Sequence, residues 1–592
     1  MKYRPEIDGL RALAVVPVVL FHAGFELFSG GFVGVDIFFV ISGYLITTIL
    51  IEDIENERFS LLNFYERRAR RILPTLFFVM LTCIPFAWMW MLPDPLENFG
   101  QSLVATTLSA NNVLAYLTTG YWDLSAEFKP LLHTWSLGIE EQFYIVFPLF
   151  LVVIWRLGKG IVLLLIGLLL IASLLVGEWL SCESPQAAFY LIHARAWELL
   201  VGSIAAFIVH KYGVKKNNLL ALIGLAAIIF SILSYSESTP FPGVYALVPV
   251  LGVLLLVLYA NEETLVAKLL SFRVFVGIGL VSYSAYLWHL PLLAFVRIYG
   301  KNEPDFSTNL VLVFFTFFLA YFSWKYIESP FRKRSIINGY TLISVISFVS
   351  ILLVGFGYSA HKTHGFAFRV FDDSVLSRDT YISYNDRNFE FKNDEFYNKA
   401  AVKVLVIGNS FGRDFVNVLR ETYDISLFEL IYRDDYDTCT LLKNETGKIL
   451  ASTADIMIFA SGYELDDGQC NTNAIEFSYE RKSEIFFIGT KQFGFNLNWI
   501  ARTDLSERKL LRNPVMLDTQ KADFKASEVI PAANYISIMQ PLTNGKGVLV
   551  TDNLGRLISP DREHLTKYGA IYIGREIIRK SALNVGLWQF EK

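Results

Sequence analysis

The sequence predicts a polytopic α-helical membrane bundle followed by an α/β domain, and three observations carry that reading. Hydrophobic residues make up 53% and aromatic residues 15% of the 592 positions, a more apolar composition than ordinary soluble domains have. Apolar stretches long enough to cross a bilayer, about 20 residues, recur as far as residue 358. Beyond residue 360 the text turns polar, and short apolar runs alternate with helical patterns.

Taken in order, spans are expected near residues 10–28, 33–51, 74–92, 135–155, 160–178, 190–210, 219–235, 243–260, 273–297, 307–326 and 338–358, about eleven in all. The stretch 97–117 carries Gln101, Ser102, Thr106, Thr107, Ser109, Asn111 and Asn112, too many polar groups for a lipid-facing helix. It is expected to enter and leave on one side as a re-entrant or interfacial segment. Basic residues in short loops favour the cytoplasmic side. Arg58 with the loop of Arg67, Arg68, Arg70 and Arg71, then Arg156 with Lys159, Lys211 with Lys215 and Lys216, Lys268 with Arg273, and Arg332 with Lys333 and Arg334 therefore mark inner loops. They put the N-terminus inside and the C-terminus outside. No small-residue cleavage site follows the first run, which reads as an uncleaved anchor.

Residues 359–400 read as an extension with little regular structure. From Val402 the strand candidates are 403–407, 455–460 and 483–489. The first ends in Gly408-Asn409-Ser410, a serine on a strand-to-helix turn, where backbone N–H groups stabilise an oxyanion. Near the chain end stands Asp561-Arg-Glu-His564. His564 suits a general base for Ser410, and Asp561 suits the group that fixes its tautomer. Each motif alone also reads as an ordinary turn. Cys439 and Cys470 fall in this polar part and would pair as a disulfide outside the cytoplasm, the alternative being two free thiols.

Within the first run, Arg11 and His22 lie roughly 16 Å apart along a helix axis, on nearly one face. Ionisable groups in a span are costly unless they face the bundle interior, so both are functional candidates, a hydrogen-bonded core histidine being the plain alternative for His22. Asp36, Glu140, Glu141, Arg195 and Glu198 are further candidates; for the carboxylates and Arg195 a buried ion pair reads as well as chemistry does. Arg67, Arg68 and Arg71 offer guanidinium forks suited to phosphate, and they also satisfy the positive-inside pattern. His289, among Tyr283, Tyr286 and Trp288, reads as an aromatic-lined core histidine.

These residues sit in longer motifs. Asp8-Gly-Leu-Arg11 with His22, Gly-Gly-Phe-Val-Gly-Val-Asp-Ile-Phe-Phe-Val-Ile-Ser-Gly-Tyr-Leu-Ile-Thr at 30–47, the basic block 64–74, His-Thr-Trp-Ser-Leu-Gly-Ile-Glu-Glu-Gln-Phe-Tyr at 133–144, Arg195-Ala-Trp-Glu198, the stretch 282–291 and Glu328-Ser-Pro-Phe-Arg332 together resemble the membrane-bound acyltransferase-3 family. The Ser410 and His564 motifs resemble an SGNH (GDSL-like) hydrolase domain of three-layer α/β type. Asn409 stands where that family carries Asp, and Ser461-Gly462-Tyr463-Glu464 lacks the expected asparagine. The oxyanion donors left are Ser410 N–H and Gly462.

The resemblance implies an acyltransferase-3 membrane domain over 1–335, an additional transmembrane helix over 336–358, an extension over 359–400 and an extracytoplasmic SGNH-like domain over 401–592. It implies an O-acetyltransferase of the bacterial inner membrane with a periplasmic C-terminal domain. Acetyl coenzyme A is the expected co-substrate, held by Arg11, Arg67, Arg68 and Arg71, with His22 for acid/base work and Ser410 as relay. The expected acceptor is a surface glycan or lipid-linked polysaccharide, O-antigen of lipopolysaccharide ahead of peptidoglycan or exopolysaccharide. The lipid bilayer is a partner; neither a metal nor nucleic acid is expected. Two other classes stay open, a membrane-anchored glycan esterase and a transporter; no paired, Gly/Pro-interrupted inverted halves support the latter.

Overall fold

The computed structural model describes residues 3–118, 126–370, 384–385, 387–398, 401–462 and 468–592. The chain forms two units: Met1–Trp88, Pro95–Val296 and Pro304–Thr363 make one, and Met89–Asp94, Arg297–Glu303 and His364–Lys592 the other.

The first unit is helical: α1 (Pro5–His22), α2 (Gly34–Glu55), α3 (Leu61–Trp90), α4 (Pro93–Thr107), α5 (Asn111–Thr118), α6 (Thr134–Trp155), α7 (Lys159–Glu183), α8 (Ile192–Tyr212), α9 (Asn218–Ser234), α10 (Leu247–Tyr259), α11 (Arg273–Tyr299), α12 (Phe306–Ser323) and α13 (Gly339–Lys362). Among the described residues eight helical segments are long and apolar enough to cross a membrane, containing α2, α3, α6, α7, α8, α11, α12 and α13; α9 and α10 are apolar but shorter. The helix α1 has 18 residues and carries Glu6, Asp8 and Arg11; Arg4 meets Glu6 at 2.6 Å and Arg11 meets Asp8 at 3.3 Å.

Two expectations are corrected. The first run does not continue as helix to residue 28: α1 stops at His22, where Gly24 N–H turns back to Phe21 O at 2.9 Å, so His22 ends the helix. The basic block is not a loop but the first half of α3, because Leu61 to Ile72 holds no Gly or Pro and its Leu and Arg residues, with Glu66 and Ala69, are all favourable in helices.

Small residues set the closest helix approach. A Cβ on Gly43 of α2 would lie 1.9 Å from Leu199 O, and one on Gly202 of α8 would lie 2.1 Å from Val40 O. The two backbones therefore touch. The polar stretch 97–117 becomes two helices, α4 and α5, too short to span, broken where Ser109 takes φ 57°. Its polar groups are spent on α6 and the turn before it: Asn111 Nδ2 donates to Leu131 O at 3.0 Å and Thr134 Oγ1 at 2.8 Å, and Gln142 Nε2 donates to Ser109 O at 2.9 Å.

The second unit is built on a five-stranded sheet. Its strands are β1 (Lys403–Ile407), β2 (Glu429–Arg433), β3 (Ile456–Phe459), β4 (Glu484–Ile488) and β6 (Tyr535–Ile536), in the order β2-β1-β3-β4-β6 and all parallel; β5 (Arg512–Asn513), β7 (Thr543–Asn544) and β8 (Gly547–Leu549) form a small antiparallel sheet. The helices are α14 (Ser410–Thr422), α15 (Glu445–Thr453), α16 (Gly468–Arg481), α17 (Leu517–Val529) and α18 (Lys567–Glu576). Strand alternation creates two cores. Val404 and Val406 pack with Phe415 and Leu419 of α14 and Ile573 of α18, whereas Leu405 and Ile407 pack with Leu450 of α15 and Ala474 of α16. The result is three layers, helix on sheet on helix. In the 359–400 extension, α13 continues to Lys362, and the segment around residues 387–388 is clipped to α14, where Asn388 Nδ2 donates to Arg413 O at 3.0 Å and Arg387 pairs with Glu421 at 2.8 Å; residues 371–383, 386 and 399–400 of that extension, like Tyr463 and Glu464, lie outside the described residues. A disulfide joins Cys439 to Cys470 across a Cα–Cα distance of 5.0 Å.

Candidate functional site

Helix phase decides which arginines of the basic block reach the interior. Arg68 and Arg71, three positions apart on α3, line a recess with Arg11 of α1, Ser42 of α2, and Glu140 and Tyr144 of α6. The recess measures about 820 Å³, counting solvent at its mouth. Glu140 Oε2 accepts from Ser42 Oγ at 2.7 Å and from the Tyr144 hydroxyl, and the Arg68 guanidinium lies over the rings of Phe64 and Tyr144. Arg67 is directed elsewhere and pairs with Asp53 at 2.7 Å. The neighbouring Arg70 bonds Glu66 and the carbonyls of Phe331 and Ile337. Three guanidinium groups, one carboxylate and apolar walls such as Phe38 and Ile41 suit a polyanion with an apolar arm.

At the other end of α1, His22 Nδ1 lies 2.9 Å from Val18 O. A carbonyl only accepts, so Nδ1 carries the proton and Nε2 is the basic nitrogen. The His22 ring centre is 5.0 Å from that of His289, which is 5.2 Å from that of His133. Tyr286 packs against both His133 and His289, donates to His133 O at 3.0 Å, meets Ser136 Oγ at 2.7 Å, and also lines the recess. It therefore stands between the recess and the imidazoles. The partnership of His22 with His133 and His289 has no spacing signal in sequence, because α1, the turn before α6, and α11 supply it from distant parts of the chain.

The remaining bundle candidates are closed off. Arg195 Nη2 meets Asp36 Oδ1 at 3.2 Å and Arg195 Nε meets Glu198 Oε1 at 3.2 Å, all three buried, with Phe39, Trp135, Phe189 and Phe241 ringed about the guanidinium. Glu141 is turned toward the α4–α5 break, where it accepts from Ser109 Oγ.

In the second unit the chain reverses across the sheet at β1, and ligands of such sheets bind at the carboxyl ends of the strands flanking that point. Ser410 follows β1 there. Gly408 makes the turn: its φ is +146°, and a Cβ would come within 2.1 Å of Ala460 O at the end of β3. Asn409 caps α14 by accepting from Phe411 N at 3.2 Å, the task an Asp would also perform. Gly462 lies over the Phe411 ring, so the loop after β3 runs beside the serine turn.

His564 Nδ1 bonds Asp561 Oδ2 at 2.7 Å, and Asp561 Oδ1 accepts the backbone N–H groups of Glu563 at 2.7 Å and His564 at 2.8 Å. Burial pushes the His564 pKa down, but the charge and hydrogen bond of Asp561 and the charge of Asp414 outweigh it and hold the imidazole above its ordinary range. Burial likewise pushes Asp561 up, and the charge of His564 with these hydrogen bonds holds it well below the usual carboxylate range. Such a pair is an oriented base. Asp414, one turn along α14 from Ser410, and Lys491, from the loop after β4, also pack here and were not singled out in the sequence. Among the described residues no group of three or more His, Cys, Asp or Glu is arranged to hold a metal.

Comparison with known proteins adds the lineage. The peptidoglycan O-acetyltransferase OatA of Listeria monocytogenes is 35% identical over 359 residues, 57% of each chain. The O-acetyltransferase OatA of Staphylococcus aureus is 29% identical over 358 residues, 56% of this chain and 58% of its own. The alignment thus spans well under two thirds of those relatives. No solved structure matches the chain. Residues 4–327, more than half of the sequence and the whole of the unit that holds the recess up to α12, match the acyltransferase domain family, and the chain belongs to that family.

Proposed function

We propose that the protein is an O-acetyltransferase that takes acetyl from acetyl coenzyme A at the recess of Arg11, Arg68 and Arg71 and delivers it, by way of Ser410, to a hydroxyl of an extracytoplasmic glycan. The observation that carries this reading is the presence in one chain of a cationic recess in an acyltransferase-family bundle and an Asp561–His564 base packed on the serine helix. The phosphates of coenzyme A match guanidinium forks. The name of the Listeria relative moves peptidoglycan ahead of the O-antigen expected from the sequence. Counting α1, α9 and α10 with the eight long helices would give eleven crossings, and the basic loops together with the disulfide support an inner N-terminus and an outer C-terminus.

In this mechanism His22 Nε2 takes the proton of a hydroxyl-bearing acyl carrier, the carrier oxygen bonds the acetyl carbon as the thioester C–S bond breaks, and the proton leaves with the coenzyme A thiol. At Ser410, His564 takes the hydroxyl proton, Oγ bonds the acetyl carbon, and the carrier's ester C–O bond breaks so that its hydroxyl departs with the proton. The glycan hydroxyl then attacks the acetyl-serine, gives its proton to His564, and releases Ser410. The test is transfer of labelled acetyl from acetyl coenzyme A to cell-wall glycan in membranes carrying wild type, His22→Ala or Ser410→Ala. Loss of transfer in both, with donor still consumed only in Ser410→Ala, is expected. Full transfer by both would sink the relay, and free acetate released from an acetylated glycan without donor would identify an esterase instead.

A further inference from the structure

His564 is gripped on both sides by one buried ion pair. Asp414 Oδ2 meets Lys491 Nζ at 2.7 Å, and the two side chains are 0% and 5% exposed. The same Oδ2 accepts the backbone N–H of Leu565 at 3.1 Å, the residue after His564. The same Nζ donates to the carbonyl of Glu563 at 2.6 Å, the residue before His564, and lies 3.8 Å from the centre of the Phe411 ring, next to Ser410. Asp414 belongs to the helix that Ser410 opens, one turn on, where side chains four apart share a face.

We propose that Asp414 and Lys491 are a positioning pair that holds the His564 backbone in register with the Ser410 turn. The inference rests on the serine–histidine–aspartate reading above. A buried ion pair is a costly way to hold a loop, and an apolar pair of similar size stabilises a fold at least as well. What the ion pair supplies is direction: one acceptor for an N–H and one donor for a carbonyl, flanking a single residue. The charged groups facing His564 are Asp561 on its own loop, Asp414 on α14 and Lys491 after β4.

The test uses the full-length protein in detergent, with 4-nitrophenyl acetate as acetyl donor and the rate followed against pH. The neutral form of His564 is the base, so the acid limb of the profile reports its pKa. Asp414→Asn removes an attractive charge and should move that limb to lower pH, whereas Lys491→Met removes a repulsive one and should move it higher. In both, kcat should fall about tenfold or more while KM holds. The double variant Asp414→Leu/Lys491→Met removes both charges together, leaves no unpaired buried charge to unfold the unit, which its melting curve checks, and should lose kcat to the same degree. Unshifted profiles and wild-type kcat in the folded variants, or wild-type kcat in the double variant alone, would overturn the pair as a positioning device. Full activity in Ser410→Ala would instead overturn the triad, and the pair with it; an inactive Ser410→Ala beside unaffected pair variants would overturn the pair only.

Discussion

Arg195, fully buried, and Arg68, half-buried, both belong to the helical unit and both lie against aromatic rings, yet they are held in opposite ways. Arg195 stands between Asp36 and Glu198 at 3.2 Å each, with four rings closing the space around it. Arg68 shares an open recess with Arg11 and Arg71, and the one carboxylate among the lining residues, Glu140, is already engaged by Ser42 and Tyr144. A cation matched inside a closed shell holds helices together. Cations in excess of anions around an open volume are arranged for a ligand that brings negative charge.

Removing the closed arginine should have the largest effect. Arg195→Leu leaves two carboxylates buried without their cation, a loss of about 3–5 kcal/mol by the usual cost of breaking a buried pair. Thermal unfolding of the detergent-solubilised protein should fall accordingly, and folded yield with it. A variant that melts like wild type but no longer binds acyl donor would erase the distinction between the two clusters.

The recess should respond in the other way. Arg68→Gln or Arg71→Gln removes one charge-assisted hydrogen bond to a phosphate, worth about 1.5–3 kcal/mol, or roughly 10–100-fold in the KM for acetyl coenzyme A. Melting should change little. Initial rates against donor concentration in native membranes would settle it, and a lowered melting temperature with an unchanged KM would make these arginines structural like Arg195.

Much of this was legible in the chain, for reasons that differ by region. The local geometry at Ser410 and His564 was readable because short-range rules govern it: Gly408 makes the turn, Asn409 caps, and Asp561 reaches His564 within one turn. The strands β1, β3 and β4 announced themselves as apolar runs, while β2 did not, since Glu429 and Arg433 bracket only three apolar residues. What sequence could not supply was pairing between distant elements. Asp414 looks like an ordinary helix residue until Lys491 and Leu565 arrive from far along the chain. His133 and His289 likewise acquire meaning only beside His22. Reading the basic block as a loop also hid the helix phase that sorts its arginines.

That phase yields the smallest expected effect. Arg67 and Arg68 are adjacent in sequence and alike in charge, so a loop would make them equivalent. On a helix they are about 100° apart. Arg67 is 44% exposed and its partner is Asp53, at 2.7 Å, a contact of the surface kind worth about 0–1 kcal/mol and weakened by salt. Arg67→Ala should therefore leave both the melting temperature and the KM for donor close to wild type, measured beside Arg68→Gln in the same membranes. If Arg67→Ala instead raised the KM as much as Arg68→Gln does, the donor would be gripped by the net charge of the block and not by the face that α3 turns inward, and the recess would lose its claim to be the binding site.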